Sequence, residues 1–169
     1  DKIVLVVGKN SNMEGINWAV NYNSVIEMHN IQSETPLIAY NYLFNLAKQE
    51  KADLFLTQTD VLFPKLYKRD WLKQMSQIAQ NEQVGAVTSL NGGGYSGPDY
   101  IDGFYWLGGW CVYYPLRTIE LINGFDDNFT NGFGADIDHS YRLSKTGLKI
   151  VQVNYWVDHH QENERLHDN

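Results

Sequence analysis

The sequence predicts an α/β fold: a mostly parallel sheet flanked by helices, built as a single domain over residues 1–169. Three observations carry that expectation. Short continuous apolar runs, such as Lys2-Ile3-Val4-Leu5-Val6-Val7 and Val84-Gly85-Ala86-Val87-Thr88, look like strands buried on both faces. Between such runs lie segments whose apolar residues recur at helical spacing, and a helix leading into a buried strand is half of a βαβ unit. The length suits one core of ordinary size.

Taken in order, the first strand is residues 2–7, broken by Gly8. The polar Gly8-Lys9-Asn10-Ser11-Asn12 loop follows at its carboxyl end, the edge where open α/β sheets bind ligands. It is neither GxGxxG nor a P-loop. Residues 16–20 read as the start of a helix and 24–28 as a second short strand. Thr35-Pro36 then opens a helix, cap before proline, in which Leu37, Tyr40, Leu43, Phe44 and Ala47 repeat until the polar Lys48-Gln49-Glu50-Lys51. Residues 53–64 read as one buried strand that delivers a single acid, Asp60, to a sheet edge, with Pro64 stopping the run.

Residues 67–80 form an amphipathic helical pattern, with Trp71, Leu72, Met75, Ile78 and Ala79 on one side and Lys68, Arg69, Lys73 and Gln77 on the other. After the strand at 84–88, the glycine-rich Asn91-Gly92-Gly93-Gly94-Tyr95-Ser96-Gly97-Pro98-Asp99-Tyr100 reads as a mobile loop over the site. Residues 104–114 read as strand–turn–strand or a kinked strand, whose Gly108-Gly109 lets the backbone approach a ligand. A helix at 116–122 starts at Pro115 and stops at Asn123-Gly124. A turn at 125–129, a helix at 135–146 closed by Gly147, and a last strand at 149–153 complete the chain before a polar tail expected to fray. No internal repeat is present.

Composition narrows the function. A formal charge of −7 with pI near 5.1 offers no basic surface for nucleic acid or anionic lipid, so no nucleic-acid partner is expected. A phosphorylated small ligand needs a divalent cation and backbone amides to neutralise it locally. The single cysteine, Cys111, can form neither an intramolecular disulfide nor a cysteine metal site and is expected to be a core thiol. No apolar run approaches ~18 residues, so no membrane span is expected. The expectation is a soluble chain, cytoplasmic in location; oligomeric state is not legible.

Three polar clusters fall at the ends of apolar elements: Asp60, the acids of Gly134-Ala135-Asp136-Ile137-Asp138-His139, and Asp158-His159-His160. Carboxylate with imidazole suits a divalent ion such as Mg²⁺ or Mn²⁺, with positions left open for phosphate oxygens and water. A histidine pair leaving a strand is also an ordinary surface hydrogen-bonder. Asp136 and Asp138 begin a helix, where acids cap exposed amides. Functionally, one of them would be a general base while the other, paired with Arg142 at i+4, holds the helix start. Trp106 and Trp110 flank Gly108-Gly109, and an indole face is a platform for a sugar ring as well as a core filler.

In order along the chain, Thr57-Gln58-Thr59-Asp60, Leu107-Gly108-Gly109-Trp110, Asn123-Gly124-Phe125-Asp126, Gly134-Ala135-Asp136-Ile137-Asp138 with Arg142, and Val157-Asp158-His159-His160 together resemble the family-2-like glycosyltransferases of GT-A fold. The resemblance covers roughly residues 35–160. It implies a GT-A-type, Rossmann-like domain that moves a sugar, with inversion, from a nucleotide-diphosphate sugar to an acceptor hydroxyl on a glycan, glycoprotein or lipid. Asp60 would bind a divalent metal, Mn or Mg, with His159 or His160 completing the site, and Asp136 would deprotonate the acceptor, with Asp138 the fallback. Gly8, Asn10, Thr59, Asp60, Gly108 and Gly109 would meet the donor, and Trp106 and Trp110 the acceptor. Two departures stand out: Gln58 replaces the first acid of Asp-x-Asp, and Ala135 replaces the Glu before Asp136. A nucleotidyltransferase and a non-catalytic carbohydrate- or nucleotide-binding relative are the alternatives.

Overall fold

The computed structural model describes residues 3–8, 26–31, 35–58, 61–63, 71–91, 99–101, 103–108, 111–129 and 134–159. Its centre is a five-stranded sheet in the order β3-β8-β5-β9-β4, made of β3 (Leu54–Thr57), β4 (Val61–Leu62), β5 (Val84–Asn91), β8 (Cys111–Tyr114) and β9 (Lys149–His159). Two separate pairs accompany it: parallel β1 (Ile3–Val7) with β2 (Ile26–Asn30), and antiparallel β6 (Asp99–Ile101) with β7 (Phe104–Trp106). The helices are α1 (Pro36–Glu50), α2 (Trp71–Ala79), α3 (Leu116–Ile122) and α4 (Ala135–Lys145).

The expected mostly parallel sheet is a mixed one. Only β5 and β9 run parallel in it, while β8 is antiparallel to both β3 and β5 and β4 is antiparallel to β9. The physical reason is that a continuous apolar run reports burial on both faces, and says nothing of direction. β8 is buried at all four positions because α1, α3 and α4 cover one face and α2 the other. Leu37, Phe44, Leu56, Ala86, Val112, Tyr114, Ile119 and Leu143 build the first layer, and Met75, Val87, Tyr113 and Val153 the second.

Residues 53–64 do not form one strand. β3 and β4 occupy opposite ends of the strand order, yet only three residues separate them in the chain. Four residues span at most about 14 Å, whereas four inter-strand steps of a flat sheet cover roughly 19 Å. The sheet must therefore curl. Between Ser89/Leu90 of β5 and their partners Val153 and Trp156, β9 carries two extra residues, the kind of bulge that bends a strand. Phe55, Val61, Phe63, Cys111 and Val157, drawn from both ends of the sheet, accordingly share one apolar cluster. Burial pushes the Cys111 thiol up to about 11, making it the core thiol the sequence suggested.

Several boundaries come from local chemistry. Thr35 is the N-cap of α1 and Pro36 its first residue. The α3 start has Pro115 as N-cap, which has no capping side chain, and Asp53 does that work from a distance. Its Oδ1 accepts the Leu116 N–H at 2.8 Å while Oδ2 accepts the Tyr113 hydroxyl at 2.7 Å. α3 ends where Asn123 and Gly124 take positive φ, 55° and 82°. No helix among the described residues is long and apolar enough to cross a membrane.

Candidate active site

Asp136 lies in the first turn of α4, whose N-cap, Gly134, has no side chain to offer. The Asp136 carboxylate takes over part of the capping: its Oδ1 accepts the Ile137 N–H at 3.0 Å. Burial raises its pKa above the ordinary aspartate value, and the Ile137 N–H that it accepts, with the nearby Trp106 side chain, offsets part of that rise. A carboxylate of raised pKa is a better proton acceptor than a fully solvated one.

The strand that carries Trp106 is tied to the same helix turn. The Leu107 N–H, next in sequence, donates to Ser140 Oγ at 2.9 Å, and Ser140 Oγ donates to the Asp136 carbonyl at 2.6 Å. Ser140 is fully buried. A serine at i+4 was visible in the sequence, but its partner 33 residues away was not.

Asp138 is engaged differently. Its Oδ2 accepts Arg142 Nε at 2.8 Å, as the i+4 spacing suggested. The same guanidinium donates Nη1 to the Ile122 carbonyl at 2.6 Å and Nη2 to the Gly124 carbonyl at 2.8 Å, closing the end of α3. Gly124 O also accepts Nδ1 of His139 at 3.0 Å. Because a carbonyl only accepts, the proton sits on Nδ1. The His139 ring stacks on Phe125 at 4.2 Å and meets Phe44 and Tyr114 edge-on. Complete burial pushes its pKa down to about 3, so it is neutral at ordinary pH and serves packing.

The Gly-Phe-Asp turn is held from the far side by Asn41 of α1. Asn41 Oδ1 accepts the Phe125 N–H at 2.7 Å, and Nδ2 donates to Phe125 O at 2.9 Å and to Asp127 Oδ1 at 2.6 Å. A Cβ on Gly124 would stand 2.5 Å from Asn41 Oδ1, so this turn needs glycine for space as well as for φ.

Gln58, at the end of β3, donates to the Tyr40 hydroxyl of α1. Tyr40 in turn tilts against Phe125, with centroids 5.4 Å apart. The buried Tyr114 phenol lies in the electrostatic field of both Tyr40 and Asp136, and burial raises its pKa strongly. Gln58 is thus tied through Tyr40 to Phe125 of the Gly-Phe-Asp turn. β4 and β9 meet with Val61 opposite His159 and Leu62 opposite Asp158.

Of the residues singled out from sequence, Asp136 and Trp106 come near each other. Asp138 is paired with Arg142. Gly8 lies just past β1 and Gly108 beyond β7, both half-buried. Asn10, Thr59, Asp60, Gly109, Trp110 and His160 lie outside the described residues, and His159 is described by its backbone alone. Among the described residues no group of three or more His, Cys, Asp or Glu could hold a metal ion.

No protein-family model matches the chain, and no curated protein matches it in sequence. Solved structures do share its fold. One, described as GalNAc-T7 with UDP, GalNAc and Mn²⁺, superposes with a TM-score of 0.68 at 13% identity over 94% of this chain. The chain spans 37% of that protein's length. At this identity the likeness shows the fold alone: a GT-A-like glycosyltransferase fold, without a particular family within it.

Proposed function

We propose that this chain is a single catalytic domain that transfers a sugar, with inversion, from a nucleotide-diphosphate sugar to an acceptor hydroxyl. The observation that carries this reading is Asp136: a half-buried carboxylate of raised pKa in the first turn of α4, a turn tied through Ser140 to the strand exit at Leu107, in a GT-A-like fold. In the reaction the Asp136 carboxylate takes the proton of the acceptor hydroxyl. The acceptor oxygen then bonds to the anomeric carbon of the donor, and the nucleoside diphosphate departs with the bonding electron pair. One displacement inverts the configuration at that carbon. The indole face of Trp106, near the base, borders the acceptor.

For a divalent ion, the donor chemistry fits: a carboxylate from Asp60 and an imidazole from His159 or His160 suit Mn²⁺ or Mg²⁺, and the pairing of Val61, the residue after Asp60 in the chain, with His159 supports this reading. Bound there, the ion would neutralise the diphosphate as it leaves. Gly8, Asn10, Thr59, Gly108 and Gly109 are assigned to the donor and Trp110 to the acceptor. Asp138, committed to Arg142, anchors the helix that presents Asp136.

A second reading, a donor-binding relative without turnover, draws on Gln58. Where the resemblance calls for an acid, its side chain is engaged with Tyr40. The two readings part on Asp136→Asn. Assayed with nucleotide sugars, UDP-linked ones first because the similar structure contains UDP, the variant should lose transfer by about 10²–10⁴-fold while binding donor as wild type does. Full turnover by the variant refutes Asp136 as the base, and absence of transfer by the wild type across donors favours the second reading.

A further inference from the structure

We propose that Tyr42 is a base-assisted nucleophile, a site of covalent modification by neutral acyl donors that uses none of the residues assigned to sugar transfer. Glu27 and His29 stand two apart on β2, opposite Val4 and Val6 of β1, so their side chains leave the same face of the strand pair, and α1 brings Tyr42 to that face. Glu27 Oε1 lies 2.8 Å from His29 Nε2, and the Tyr42 hydroxyl lies 2.5 Å from His29 Nδ1. A carboxylate only accepts, so the neutral imidazole carries its proton on Nε2. Nδ1 is then the acceptor, and the Tyr42 O–H donates to it. The two rings meet edge-on with centroids 5.5 Å apart, which keeps the phenol aligned with that nitrogen. A hydroxyl, a base within hydrogen-bond reach and a third group that orients the base together form the arrangement that activates a nucleophile.

Glu27 is exposed, and His29 and Tyr42 are half-buried, so a small reagent can reach the phenol. With the Glu27 carboxylate beside it and a formal charge of −7 on the chain, the site repels anionic phosphoryl or sulfuryl donors and favours an uncharged acyl carbonyl. In the step, the Tyr42 oxygen bonds to the acyl carbon while its proton passes to His29 Nδ1. The bond from the acyl carbon to the leaving group breaks with its electron pair on the leaving group, which then takes the proton from His29. Glu27 acts as a positioning residue, holding the proton on Nε2 so that Nδ1 faces the phenol as a base.

The test is acetylation of the whole chain by N-acetylimidazole, followed residue by residue with peptide mass spectrometry. Tyr105 and Tyr141, 53% and 46% exposed, are internal controls, because exposure alone would make them react before Tyr42. With base assistance Tyr42 should instead be acetylated faster than either by about tenfold or more. His29→Gln, which can still hydrogen-bond the phenol but is no base, should remove that excess, and His29→Phe should do the same and serves if the glutamine variant does not fold. Glu27→Ala should slow Tyr42, while Glu27→Gln, whose amide oxygen still accepts the Nε2 proton, should restore most of the rate. Acetylation of Tyr42 no faster than that of Tyr105 and Tyr141, or a Tyr42 rate unchanged by the loss of the imidazole, would overturn the proposal. A rate unchanged in Glu27→Ala would overturn the positioning role of the carboxylate.

Discussion

Ser140 Oγ donates to the Asp136 carbonyl at 2.6 Å while accepting the Leu107 N–H at 2.9 Å, joining the exit of the short β6–β7 pair to the first turn of α4. Trp106, the residue before Leu107, thereby comes near Asp136, although sequence alone assigned the two to different tasks, sugar platform and base.

Replacing Trp106 by Phe keeps an aromatic ring but removes the indole N–H near Asp136. Because that N–H dipole favours the ionised form, its loss should raise the Asp136 pKa further, so that the base becomes protonated at higher pH. The acid limb of the pH profile for kcat/KM should move upward, with the rate at alkaline pH falling far less. An acid limb at its wild-type position would show that the indole does not bear on the ionisation.

Asn41→Ala removes the clamp on the Gly-Phe-Asp turn and strands the Phe125 N–H and carbonyl. A loss of about 1–3 kcal/mol is expected, seen as a lower denaturant midpoint at unchanged m-value. Stability equal to wild type would mean that water replaces the amide.

His139 makes stability depend on acid. Unfolded, its imidazole binds a proton near pH 6.5, but folded it resists until about pH 3. Between those values the unfolded state holds the extra proton. The contribution is therefore complete above pH 6.5 and is lost as pH falls toward 3, at no more than about 1.4 kcal/mol per pH unit. Asp136, with its pKa raised, works with the opposite sign over the upper carboxylate range. His139→Phe, which retains the stacking, should flatten the decline between pH 6 and pH 4 in urea-unfolding series. An unchanged slope would place the acid sensitivity elsewhere.

Much of the fold was legible because its boundaries are local. Pro115 and the Asn123-Gly124 stop bracket α3 at residues 116–122, and Thr35-Pro36 starts α1 at residue 36. The i+4 pair Asp138–Arg142 was legible for the same reason. Strand direction was not, since the burial of Cys111-Val112-Tyr113-Tyr114 is the same for a parallel or antiparallel neighbour. Nor was the division of residues 53–64, where two apolar runs either side of Thr57-Gln58-Thr59-Asp60 belong to strands at opposite ends of the sheet order. At the site, Asp136 stood out as an acid at a helix start, whereas Ser140, Asn41 and Tyr40 act through residues 18 to 86 positions away, pairings that no spacing encodes.

The proposal of a metal-bridged donor meets its most direct test in calorimetric titration of nucleoside diphosphates, UDP first, with and without Mn²⁺, into wild type and Asp60→Ala. Mn²⁺ should tighten binding to the wild type by tenfold or more, equivalent to about 1.4 kcal/mol, and leave Asp60→Ala nearly unchanged. Affinities that are the same with and without Mn²⁺ for every nucleoside diphosphate would contradict it.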